Sequence, residues 1–118
     1  MVVAVFVAPY LLDATTRFAE AAARLPGTEL ALVTCEPADR VPAELRRSVA
    51  AHWRIDDALD AGQIACAVQA LGDHLGPVQR LLAVLEQLQV PVAQVREQLG
   101  IAGMDAATAR NFRDKAQM

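Results

Sequence analysis

The chain has 118 residues, of which 54% are apolar and only 4% aromatic, and its formal net charge is −3. That length suits one domain with a real core, and that apolar content excludes a disordered chain. The acidic balance argues against nucleic acid or an anionic membrane as partner, and no apolar run approaches the ~20 residues of a membrane span. Met1 leads straight into Val2–Val7 with no basic stretch before it, and Pro9 follows too soon for a secretory leader; a cytoplasmic protein is expected. The two cysteines, Cys35 and Cys66, lack metal-ligand spacing and read as reduced thiols.

Taken in order, Val2 to Val7 is a nearly continuous β-branched and aromatic run, the pattern of a strand covered on both faces. Asp13 is placed to cap a helix from about Ala14 to Leu25, with Phe18, Ala22 and Leu25 facing inward and Pro26-Gly27 closing it. Thr28 to Val33 reads as the second strand. A polar loop from Cys35 to Val41 leads to Pro42, suited to a first helical position, and a short helix through Ser48. Ala51 to Ile55 is a short, mixed third strand. Asp60 and Gln63 are spaced as a capping box before a helical stripe of Ile64, Val68, Leu71 and Leu75, which Gly76-Pro77 ends. Arg80 to Leu85 reads as the fourth strand, and Pro91 as the start of a helix that turns Val92, Val95 and Leu99 inward and stops at Gly100. Ile101 suggests a very short fifth strand before a last helix that Asp105 can cap, with Ala109, Phe112 and Ala116 on one face. Strands alternating with helices predict a three-layer α/β domain: a parallel sheet of 4–5 strands of Rossmann or flavodoxin type, with helices on both faces.

In such sheets ligands sit beyond the carboxyl ends of the strands, here at Ala8–Tyr10, Thr34–Glu36, Asp56-Asp57 and Glu86-Gln87. Tyr10 and Glu86 are the residues best placed there to touch a ligand. Asp56 and Asp57 read as helix-capping acids ahead of metal ligands. A dinucleotide cradle needs glycines so that backbone can approach pyrophosphate, and Ala8-Pro9-Tyr10-Leu11-Leu12 supplies none. A phosphate-binding Walker loop is absent as well. His52 and His74 have no acidic or thiol partner at ligand spacing, and no nucleophile is set beside a base.

Ten of the eleven fixed cations are arginine, and the one lysine is Lys115, near the end of the last predicted helix. Lysine is a compact, mobile point charge, suited to reaching a phosphate oxygen. The segment Leu99-Gly100-Ile101-Ala102-Gly103-Met104, followed by Ala109-Arg110-Asn111-Phe112-Arg113-Asp114-Lys115-Ala116-Gln117-Met118, resembles the end of the N-terminal, pre-ATP-grasp domain of ATP-grasp ligases. Members of that superfamily, biotin carboxylases and carboxylate–amine ligases among them, run from a similar glycine turn into a helix with an R-x-x-x-DK-x-x-M segment. The second lysine that often follows there is absent before Met118. The resemblance implies that Lys115 contacts ATP and that Tyr10 and Glu86 form one wall of the acceptor site. It also implies that the glycine-rich lid and the Mg²⁺-binding acids lie in ATP-grasp domains that follow this one. The parent enzyme would use ATP and Mg²⁺, whereas this chain by itself would hold neither and would not turn over. A non-catalytic α/β interaction or dimerisation module is the alternative, and a homodimer is compatible with both readings. A receiver-like domain is disfavoured because Val7-Ala8-Pro9 stands where its acidic cluster belongs.

Overall fold

In the computed structural model, which describes residues 2–103, four parallel strands are flanked by helices on both faces. The strands are β1 (Val2–Val7), β2 (Thr28–Thr34), β3 (Ala51–Arg54) and β4 (Arg80–Leu82), and their spatial order is β3-β2-β1-β4. The helices are α1 (Asp13–Ala23), α2 (Ala43–Ser48), α3 (Ala61–Leu75) and α4 (Gln89–Leu99). Lys115 and Phe112 lie outside the described residues.

Alternation along the two central strands builds both cores. Ala4, Phe6, Leu30 and Leu32 point to one face, where Ala19 of α1 and Leu45 of α2 cover them. Val5, Val7, Ala31 and Val33 point to the other, under Ile64 and Val68 of α3 and Val92 and Val95 of α4. A strand buried on both sides must be apolar at every position, hence the unbroken runs in β1 and β2. The chain steps outward from β1 to β2 to β3, then returns through α3 to pair β4 with the opposite side of β1. Crossovers of constant hand put helices on opposite faces when the direction reverses, which separates α1 and α2 from α3 and α4. The reversal also parts the loops after β1 and β4, and a crevice opens there.

Several sequence expectations are corrected. Leu12, with φ −73° and ψ 161°, occupies the N-cap of α1, and among the described residues no side chain caps that helix; Asp13 is its first residue, where its carboxylate complements the helix dipole. Thr15 and Ala19 are the buried positions of α1. Phe18 meets Phe6 with ring centroids 5.1 Å apart yet stays 46% exposed, and Leu25 lies beyond the helix end and is exposed. The fourth strand stops at Leu82. The Gln89 amide donates to the carbonyls of Ala83 and Leu85 at 3.0 Å each, which folds that stretch into a turn. A 3₁₀ turn at Glu86–Leu88 runs directly into α4, so Pro91 falls inside the first helical turn, where its missing N–H costs nothing. Ile101 forms no strand; its N–H bonds the carbonyl of Arg96 at 2.8 Å and closes the end of α4.

Candidate functional site

The carboxyl ends of β1, β2 and β3 and the turn after β4 converge on one cavity of about 170 Å³. Its lining comes from every one of these segments: Pro9 and Tyr10, Cys35, Asp56 to Leu59, and Gln87 with Leu88. Backbone ties hold the floor. Ala8 donates its N–H to Val33 O at 2.8 Å, and Pro9 O accepts both the Cys35 N–H at 3.2 Å and the buried Thr34 hydroxyl at 3.3 Å. These bonds splice the ends of β1 and β2 and leave Tyr10 to project, 60% exposed, at the mouth.

The wall after β3 is built by α3. Asp60 caps that helix, its carboxylate accepting the Gly62 N–H at 2.9 Å. Gln63 does not reach back to the cap's backbone N–H as a capping box requires. Its Oε1 instead accepts the N–H groups of Asp56 and Asp57, both at 2.9 Å. One amide oxygen thus fixes the loop against the helix. The expectation that Asp56 and Asp57 cap the helix is corrected accordingly. Asp57 accepts the N–H of Leu59 at 2.9 Å within its own turn, and Asp56 pairs with Arg54 at 3.3 Å in solvent.

This geometry decides what the cavity can accept. The N–H groups of Cys35, Asp56, Asp57 and Leu59 are already bonded within the protein, so these four form no nest of donors for an anion. Among the described residues the lining holds two carboxylates and no lysine or arginine. Donor or cationic groups are therefore favoured over phosphate, with the Tyr10 ring and the side chains of Ala58, Leu59 and Leu88 as apolar surface. Burial pushes the Cys35 thiol above its ordinary value; a hydrogen bond with the Ala58 backbone and Arg54 pull it down, while Asp57 and Asp56 add to the rise. A raised value favours the thiol over the reactive thiolate at pH 7.

Of the residues singled out in the sequence, Tyr10 lines this cavity. Glu86 does not: it is exposed on the 3₁₀ turn, and its neighbours Gln87 and Leu88 face the cavity instead. The strand has ended at Leu82, so the 3₁₀ turn rather than strand alternation decides which of these residues faces the cavity. Lys115 is outside the described residues. His52 is exposed on the edge strand β3, and His74 is exposed in the last turn of α3. Among the described residues no three His, Cys, Asp or Glu side chains gather to hold a metal, and no helix is long and apolar enough to cross a membrane. Sequence reading placed Gln87 at a strand end but singled out its neighbour Glu86, and it missed Leu59 and the bonds of Gln63 to the loop. Only Gln63 carried a signal, its spacing from Asp60.

No protein-family model matches the sequence, and none of the curated proteins does. Among solved structures the chain is similar to an L-amino acid ligase from Bacillus licheniformis. The TM-score is 0.68 at 12% identity, over 94% of this chain and 27% of that one. It is also similar to a mutant short-chain dehydrogenase/reductase from Serratia marcescens, with TM-score 0.57 and 19% identity over 90% of this chain and 49% of that one. The chain thus spans about a quarter of the first neighbour and about half of the second. At such identities the likeness is one of fold, a Rossmann-like α/β sheet.

Proposed function

We propose that this chain is the N-terminal, pre-ATP-grasp domain of an ATP-dependent ligase. The observation that carries the proposal is the likeness to the L-amino acid ligase, which takes in 94% of this chain but only 27% of that enzyme. A domain-sized match to part of a ligase agrees with the resemblance of the segment from Leu99 to Met118. The dehydrogenase likeness supports a different chemistry less well. Dinucleotide binding needs glycines after the first strand, and Ala8 to Leu12 has none.

The complete enzyme would activate a carboxylate, or bicarbonate, as an acyl-phosphate and pass it to an amine or similar nucleophile. ATP and Mg²⁺ supply the phosphoryl transfer, and the domains that follow would hold the metal. This chain's share is twofold. Lys115 would neutralise phosphate charge at the domain boundary. The carboxyl-edge cavity, with Tyr10 at its mouth, would form a wall of the acceptor site, and its carboxylates suit an amine more than a phosphate. Glu86 stays a candidate only for the outer rim of that wall. The setting would be the cytoplasm.

The test is ADP release by a protein that carries this chain joined to ATP-grasp domains, measured over a panel of carboxylates and amines. Amine-dependent ADP release that Lys115→Ala suppresses supports the proposal. Absence of such turnover, or turnover by the 118-residue chain alone, overturns it. The alternative, a non-catalytic interaction module, rests on the exposed apolar residues Tyr10, Leu12, Leu59 and Val84.

A further inference from the structure

Gly103 lies where a side chain does not fit. Its φ is +144°, and a Cβ there would stand 2.8 Å from both Cδ and Nε of Arg96. The arginine stem fills that space. Its guanidinium reaches toward the sheet, where Nε donates to the carbonyl of Leu81 in β4 at 3.1 Å and Nη2 donates to the same oxygen at 2.5 Å. The backbone of Arg96 closes the helix: its carbonyl accepts the N–H of Gly100, and that of Ile101 at 2.8 Å, while Gly100 adopts φ 69° and ψ 31°. Among the described residues Arg96 thus bonds a strand and closes a helix end, and its stem occupies the space beside Gly103. Burial also pulls the guanidinium below its ordinary value, a cost that a solvated surface arginine does not carry.

We infer that Arg96 is a positioning residue, one that fastens the turn from Gly100 to Gly103 to the end of β4 and so fixes where that turn sits against the sheet. Leu81 and Leu82 lead directly into the turn whose Gln87 and Leu88 line the cavity. The same side chain therefore joins the strand that leads to the cavity wall to the turn that ends α4.

The experiment is a distance measurement between two spin labels on the full chain, one on exposed Cys66 and one on Ala102→Cys, in a Cys35→Ser background. With Arg96 in place a single narrow distribution is expected. Arg96→Met keeps a similar stem but has no donor and should broaden it, whereas Arg96→Lys should restore part of the narrowness. Gly103→Ala gives an independent reading through the other side of the contact. It should shift the mean distance, and Arg96→Ala in the same chain should relieve part of its stability loss. Equal widths for wild type and Arg96→Met, both folded by circular dichroism, overturn the inference. Should Arg96→Met fail to fold, an unshifted mean in Gly103→Ala overturns it as well. The label distances need no ATP, so a failure of the ligase reading is read separately from the ADP assay.

Discussion

Each of the two thiols reports on its own surroundings. Cys35 sits part-buried in the carboxyl-edge cavity and is pushed up from an ordinary value of 9.0, whereas Cys66 is exposed on α3. The thiolate is the species that reacts, so at pH 7 to 8 iodoacetamide should modify Cys66 well before Cys35. The Cys35 rate should also rise only at more alkaline pH. The linkage has a fixed sign. A thiol whose folded-state value is raised contributes stability that is fully present below the unfolded value near 9.0 and is lost as pH climbs through the folded one. Mass-resolved alkylation over pH checks this; equal rates at the two sites would show that the cavity is open to water. Under the proposed ligase reading, Lys115 is tested in a protein that joins this chain to ATP-grasp domains. Loss of one charge-assisted phosphate contact costs ~1.5–3 kcal/mol, roughly ten- to hundredfold in affinity or rate. Lys115→Ala should reduce ATP use by that factor with little change in melting temperature. Lys115→Arg should recover only part, because the guanidinium is broad and rigid. Wild-type KM for ATP together with wild-type kcat in Lys115→Ala would remove the assignment.

Among the elements, those most legible in the sequence are those whose residues meet a single environment. The apolar runs of β1 and β2 and the stripe of α3 appear where periodicity put them, since each is set by burial against one or two faces. The shortened β4 and the strandless Ile101 were not legible, because groups from distant positions intervene. Gln89 takes the carbonyls of Ala83 and Leu85, and the carbonyl of Arg96 takes the N–H of Ile101. The candidate site was legible only as a set of strand ends. Tyr10 was found because it lies in the short loop after β1; Glu86 was preferred to Gln87 because the 3₁₀ turn, not a strand, sets which residue of that segment faces inward. The wall after β3 depends on two side chains of α3 and its cap with separable roles. Asp60→Ala removes a cap and should destabilise the fold by about 1 kcal/mol. Gln63→Leu keeps the helix but strips two loop N–H groups of their acceptor. Because those groups are exposed and water can replace the amide, a smaller stability loss is expected, with faster amide exchange confined to Asp56 and Asp57. Exchange that spreads through all of α3 would show that Gln63 supports the helix itself.

At the scale of the whole molecule, the described residues cover the two sheet faces and leave apolar side chains exposed at the carboxyl edge. Tyr10, Leu12, Leu59 and Val84 are 60%, 66%, 59% and 46% exposed, and all four belong to segments that follow strand ends. Apolar surface gathered at one edge seeks a cover when it reaches a few hundred square ångströms. In the ligase reading the following domains supply that cover, and in the alternative a partner or a second copy does. Either way the isolated chain should associate with itself through this edge. The prediction is a weight-average mass that rises with concentration in sedimentation equilibrium. The triple variant Leu12→Ser, Leu59→Ser, Val84→Thr should abolish the rise. Its folding stability should stay within about 0.5 kcal/mol of wild type for each site, since none of the three side chains is in a core. Val2 and Leu25 are also exposed but belong to the opposite, amino-terminal side of the sheet, so their replacement by Thr and Ser serves as the control. Loss of association in the control but not in the triple variant would move the contact to the amino edge. A strictly monomeric wild-type chain at high concentration would show that the exposed carboxyl edge draws no second copy, and would count against the dimerisation alternative.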